Sequence, residues 1–588
     1  MHKIKITSKI LISLLLMSTP AAAQNDGKGI QVHGSVQTEF LVPQSDEKIG
    51  TESTSDKLQN NTYADVSIAS KYVDAGLRFE YLQHPLPGFE KDFKGWGVPH
   101  FYLRCKAPGA ELTAGDFYEQ FGSGFILRAY EERTLGIDNA LRGAKLKVSG
   151  INGVRLTALG GVQRRYWDWD NRSVVFGADA ELDLGTLIKP LGEKGTAWML
   201  GASWVLKNEK KPSENEPIFV PGTAYYLNVP ENTNAFDVRT QLNKGGWSVL
   251  AEYAWKTQDP SHDNGYTFGR GNVAMLSASY SKSGLAALVQ AKRSENMSFR
   301  SQRAMTGISA FINHMPAFAY QHTYALAALY PYATQYCNIS ENGATLVPGE
   351  WAFQGEFAYT FKRKTALGGK YGTKLKLNIS HVRGLDAKLN AGSTLPDGSQ
   401  TAYTFGSEGY ETSFFKMGEC YYQDINLQLE KKFTKDFKLN LMYMNQRYNQ
   451  PVIEQHGFMR KSNILVADGR YQFSRNLILR AEAQYLMAAG ESKLEEKDRS
   501  GNWVYGLLEL TVLPHFMFTL SDQYGKPFFS DGYHDKEHYF MGMVTYTNGA
   551  HRLMGGYGRT RAGYNCSGGV CRWVPASKGI QLSYNYTF

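Results

Sequence analysis

Along most of this chain, apolar and polar residues alternate one by one in runs of about ten, and turn-forming clusters separate the runs. A period of two places successive side chains on opposite faces of a strand. In IQVHGSVQTEF, Ile30, Val32, Val36 and Phe40 share one face, and Gln31, His33, Gln37 and Glu39 share the other. VDAGLRFEYL sets Val73, Ala75, Leu77, Phe79 and Tyr81 against Asp74, Arg78 and Glu80. SVVFGADAELDL, GWSVLAEYAWK, EWAFQGEFAYTF, TKLKLNIS and DINLQLEK follow the same rule. About 24 such segments run from Ile30 to Phe588. The alternation predicts an all-β protein, a transmembrane antiparallel β-barrel with a lipid-facing apolar surface and a wet interior.

The connections alternate as well. Short turns such as KAPGA (106–110), SGING (149–153), NKGG (243–246) and SKSG (281–284) are rich in Gly, Asn and Pro. Between them come long polar segments at about 41–61, 83–97, 118–141, 164–172, 207–232, 295–350 and 384–421. Outer-membrane barrels pair short periplasmic turns with long extracellular loops. An even strand count closes the ring without a free edge and returns both termini to the periplasmic side.

The ends agree. MHKIKITSKILISLLLMSTPAAAQ joins a basic start (Lys3, Lys5, Lys9) to a short apolar core and an Ala21/Ala23 cleavage pattern, so residues 1–23 read as a signal peptide and 24–588 as the barrel. Net charge falls from +9 to about +6 once those three lysines leave. At the other end Ile580, Leu582, Tyr584, Tyr586 and Phe588 alternate up to the last residue, an aromatic terminus that the barrel assembly machinery is expected to read. Composition changes the picture little: 42% hydrophobic and 20% charged would suit a soluble chain, yet 36 Tyr, 31 Phe and 59 Gly suit a barrel. Phe40, Tyr81, Trp247, Trp255, Trp351, Phe361, Trp503 and Tyr586 lie near strand ends and read as interfacial girdles touching outer-membrane lipid and lipopolysaccharide.

Only QNDGKG separates the cleavage site from the first strand, so no N-terminal plug domain is expected and loops must narrow the lumen. GDFYEQFGSGFILRAYEERTLGIDNALRG mixes Asp116, Glu119, Glu131, Glu132 and Asp138 with Arg128, Arg133 and Arg142 around the apolar FILRAY. Folded inward, these opposed charges would set a field across a pore constriction; folded outward, they would pair on a solvated surface. QRRYWDWDNR crowds Arg164, Arg165, Trp167, Asp168 and Trp169 together, a composition suited to a sugar- or phosphate-binding surface and equally to an interface belt. The inward charges of the strands are mixed in sign, so cross-strand ion pairs and weak ion selectivity are expected.

Five cysteines remain. Cys566 and Cys571 in NCSGGVC have the spacing of a small disulfide loop; Cys337 and Cys420, in the two longest loops, form a second candidate pair, and Cys105 reads as a free apolar filler. HDKEH (534–538) matches a zinc-peptidase pattern that requires a helix, but it runs into a strand, so no metal is expected. No nucleophile motif appears, no cofactor is implied and no nucleic-acid partner is expected. A barrel lipase with widely separated triad residues is the enzymatic rival.

KYVDAGLRFEYLQHPLPGFEKDFKGWGVPHFYL, GDFYEQFGSGFILRAYEERTLGIDNALRG and QRRYWDWD resemble segments of an uncharacterised Bacteroidota outer-membrane β-barrel family. The resemblance implies a fold and a location for most of the mature chain and assigns no functional residue. The expected function is a porin-like passive channel for small solutes, its pore narrowed by infolded loops. The alternative is a non-transporting barrel scaffold or accessory subunit that binds a surface lipoprotein, a glycan or secretion machinery.

Overall fold

A computed structural model describes residues 29–51, 56–169, 172–211, 218–402, 404–490, 501–525 and 537–588. The expected signal peptide lies outside the described residues. One antiparallel sheet of 24 strands closes on itself. Each strand pairs with its sequence neighbours, and Gln31–Pro43 closes the ring against Ser577–Thr587 in register from Ser35↔Thr587 to Pro43↔Gly579. Closure leaves no edge strand to be satisfied in lipid. Phe588 completes the seam: it exchanges backbone hydrogen bonds with Gly34 at 2.9 and 3.0 Å, and its ring occupies the space that a Cβ on Gly34 would need.

Both ends of the described chain and the short turns lie at one end of the barrel; the long connections lie at the other. The longest short-end connection, following Asp183, is taken up by two small helices, Leu184–Leu187 and Lys189–Glu193. Asp183 caps the first, accepting from the amides of Gly185 and Thr186.

Outward positions form an exposed aliphatic and aromatic belt that includes Val289 (66% exposed), Leu508 and Leu520. Trp247 and Trp255 lie on this outer face, as expected of a girdle. Trp503 does not. The register that turns Leu508 and Leu520 outward turns Trp503 into the barrel, where it is buried. The segment 384–421, expected as one long loop, is strand at both ends and loop only over 390–409: Thr373–Leu389 and Tyr410–Lys432 pair far beyond the rest of the wall. Register shifts between Val382 and Ala387 interrupt the alternation there, and a bulge hides a strand from a period-two reading.

Candidate functional site

Among the described residues, many of the buried charged side chains gather in the lumen. Two long connections enter it. Residues 118–140 turn inward directly after Ala110–Phe117, burying Phe121, Phe125, Ile126 and Leu127 almost completely. Gly124 makes the turn possible. Its φ is +87°, and a Cβ there would approach the backbone oxygen of His314 to 2.9 Å. Residues 296–348 enter the lumen from another part of the wall and bury Met297, Phe299, Ile312, Met315 and Phe318 in the same apolar cluster.

The two loops are stitched together by backbone groups. The Arg128 amide donates to Ile312 O at 2.9 Å, and Asn313 Nδ2 donates to Phe125 O at 2.8 Å. Asn139 Nδ2 and Gln163 Nε2 both donate to Phe311 O, at 2.9 and 2.7 Å. A hairpin of Gly563–Ser567 and Val570–Val574, cross-linked by Cys566 and Cys571, sits over this junction. Thr334 donates to Gly569 O at 3.2 Å, and Arg572 Nη2 to Thr134 O at 3.0 Å. The second candidate pair does not form. Cys337 is buried beside Ile339 and Tyr410, Cys420 lies on the wall strand Tyr410–Lys432, and both are free thiols.

Inward charges hold the loops to the wall. Arg78 and Arg164 converge on Asp138, and each also pairs with Glu80 at 2.8 Å. Glu131 accepts from Arg78 at 2.8 Å, and Arg133 reaches Asp65 at 2.9 Å. Burial alone would raise the pKa of Asp138, but Arg164 and Arg78 hold it down at about 2. Loop 296–348 is anchored differently. The Phe299 ring lies near the ammonium groups of both Lys207 and Lys256, at 5.7 and 5.8 Å from its centroid, and both lysines reach Asp259. Lys292 pairs with Glu350 at 3.0 Å and donates to Pro316 O at 2.7 Å. Across the lumen, His322 meets Asp424 at 2.6 Å, Leu326 N donates to Gln484 at 2.8 Å, and Tyr324 donates to Asp468 at 3.2 Å.

These contacts place the sequence-predicted site residues. Among the constriction candidates, Asp138, Glu131 and Arg133 join the clamp just described. Asp116 is buried against Arg142 at 2.7 Å, Glu119 takes Lys145 and Lys147 at 3.1 and 2.6 Å, Arg128 lies over Tyr130, and Glu132 accepts from Thr134 and Ser567. Their partners are wall and loop groups, so they do not stand as two opposed free rows. The ligand-surface candidates are dispersed. Arg164 is buried in the clamp, Arg165 lies 3.7 Å from Asp92, and Trp167 donates to Phe93 O at 3.0 Å. Trp169 stacks on Arg142 at 3.7 Å, and Asp168 bridges back to Arg165. They brace neighbouring loops. Of HDKEH, residues 534–536 lie outside the described residues; Glu537 pairs with Arg559 and His538 with Asp522.

The loops seat against wall strands from Gln59–Ala69 round to Trp503–Val512. Among the described residues they leave one arc largely bare. On Phe516–Tyr524, His538–Asn548, His551–Thr560 and Ser577–Thr587, most inward side chains are half-exposed, including Met517, Ser521, Met543, Met554, Gln581 and Asn585. By register, Arg552 is the only charged residue turned inward on these four strands. Residues 491–500 and 526–536 lie outside the described residues. Under loop 118–140, at the short-turn end, a cavity of about 600 Å³ opens among Glu119, Lys147, Arg155, Glu181, Arg239 and Glu252. The sequence did not reveal the bare arc, because no single strand carries it.

The fold is similar to several solved barrels at low identity. A point mutant of the ferric enterobactin receptor PfeA from Pseudomonas aeruginosa aligns over 95% of this chain and 80% of its own, at 11% identity and TM-score 0.44. The P pilus usher PapC translocation pore covers 95% and 98%, at 9% identity and TM-score 0.35. OpdL from Pseudomonas aeruginosa covers 71% and 93%, at 14% identity and TM-score 0.35. No curated protein matches the sequence. A family model matches residues 2–588, and the chain belongs to that family, DUF6029, a family of unknown function.

Proposed function

We propose that this protein is an outer-membrane channel for small solutes, with its long loops outside and both termini periplasmic. Its pore is an eccentric gap between the infolded loops and the bare arc of wall. The bare arc is the observation that carries the reading. A ring of 24 strands, spaced ~4.8 Å and tilted ~40°, has a radius of about 24 Å. Inward side chains reduce the free radius to about 18 Å, giving about 25,000 Å³ over a ~25 Å membrane span. Loops 118–140 and 296–348 together contain about 75 residues, or about 10,000 Å³ at protein packing density. That is less than half of the space.

Three of the four bare strands turn no charge inward, and wall charges elsewhere are largely paired, so weak ion selectivity is expected. Planar-bilayer recording of the purified protein tests the reading. Steady current with little preference for cation or anion supports it; a protein that inserts and remains silent overturns it. A docking role has one observation in its favour. A second cavity of about 710 Å³ lies among the outer loops, lined by His262, Arg300, Tyr336, Glu341 and Asn342. Silence in the bilayer together with stable co-purification of a surface protein or glycan would favour that role.

A further inference from the structure

The bare arc has its own internal order. On His538–Asn548, the inward residues Tyr539, Met541 and Met543 form an apolar column. On one side, their cross-strand partners Gln523, Ser521 and Thr519 form a column of amide and hydroxyl groups. On the other side the partners are Gly558 and Gly556, and the thioethers lie over them: a Cβ would meet Met541 Cε at 3.0 Å and Met543 Cγ at 2.7 Å. Below, Thr545 is flanked by Met517 and Met554. Above, Trp503 stands 6.3 Å from Tyr539, ring to ring. Among the described residues, neither Trp503 Nε1 nor Gln523 Nε2 has an acceptor.

Where the infolded loops seat, apolar inward residues are covered. Val175, Val205, Ala254 and Val273 are fully buried against the loops. The methionines of the arc are not, although exposed thioether surface gains nothing from water. Flexible, polarisable methionine suits a surface that must accept varied apolar shapes and that contacts aromatic rings favourably. Paired with a hydroxyl ladder and free of inward charge on its own strand, the column matches a solute with an apolar face and polar edges.

We infer that the channel carries uncharged amphipathic small molecules along this column, their apolar face on Tyr539, Met541, Met543 and Met554 and their hydroxyl or amide edge on Gln523, Ser521 and Thr519. The inference rests on the channel reading. Two assays separate the failures. In liposome swelling corrected for protein-free vesicles, 4-nitrophenyl β-D-glucoside should enter roughly three- to tenfold faster than sucrose, the low end of what two thioether–ring contacts supply. Met541→Ser with Met543→Ser should bring the ratio near one, and Met541→Leu with Met543→Leu, which keeps the apolar surface but removes the sulfur, should restore it only in part. In detergent, where nothing is transported, the nitrophenyl group should quench the emission that Trp503→Phe removes, and the double serine variant should weaken that quenching. No swelling with either solute would end the channel reading, leaving quenching to decide whether the column binds. Equal entry of both solutes in the wild-type protein, with quenching indifferent to the serine pair, would overturn the inference.

Discussion

Shortening loop 296–348 measures how much of the lumen it occupies. The perturbation replaces 298–346 with a short Gly/Ser bridge joining Leu285–Glu295 to Gly349–Phe361, strands already paired along their length. The loop holds about 53 residues, equivalent to about 7,000 Å³ at protein packing density. The native free lumen is about 15,000 Å³, so its removal brings that to about 22,000 Å³, close to a 1.5-fold increase. The current through a wide aqueous pore scales with its open cross-section at fixed length. Single-channel conductance should therefore rise by about half, and selectivity should remain weak. Barrel integrity is checked by heat-modifiable migration, because the deletion also uncovers Lys207, Lys256 and Lys292, which the loop now buries. A wild-type protein that is silent, and conducts only after the deletion, would show that the loops occlude the lumen completely and refute the eccentric pore.

Asp138→Ala strands Arg78 and Arg164 as buried charges and should weaken the seating of loop 118–140 by about 3–5 kcal/mol, read as new tryptic cleavage at Arg128 or Arg133 in the intact barrel. The same carboxylate sets an acid limit. Its pKa is lowered from 3.8 to about 2, so its contribution is present above about pH 3.8 and is lost as pH falls through about 2. Current noise traceable to Asp138 should appear only nearer pH 2 and be absent from pH 7 to 4, read as the difference from the Asp138→Ala variant. Phe299→Ala empties a buried core site beside two lysines and should cost about 3–5 kcal/mol in the packing of loop 296–348, seen as frequent large current fluctuations. Removing Phe588 should lower the fraction of folded, heat-modifiable protein recovered from outer membranes, since the ring seats on Gly34 at the closing seam.

The sequence alone determined what alternation can carry. Period-two runs named the strands and their number, turn chemistry told short connections from long ones, and the Ile580–Phe588 rhythm named the last strand. An apolar FILRAY within a charged connection pointed inward, as burial of Phe125, Ile126 and Leu127 shows. Alternation is a local property, and it failed where locality failed. The bulge near Arg383 hid the outer extensions of two strands, and a terminal position misassigned Trp503 to the outer face. Which charge meets which depends on register and closure, so the convergence of Arg78 and Arg164 on Asp138, from three separate segments, could not be read in advance. The bare arc was equally hidden. Each of its strands contributes every second residue, and only the antiparallel register stacks Met541, Ser521 and Gly558 side by side, because hydrogen bonds between strands, rather than order along the chain, decide which side chains share a surface.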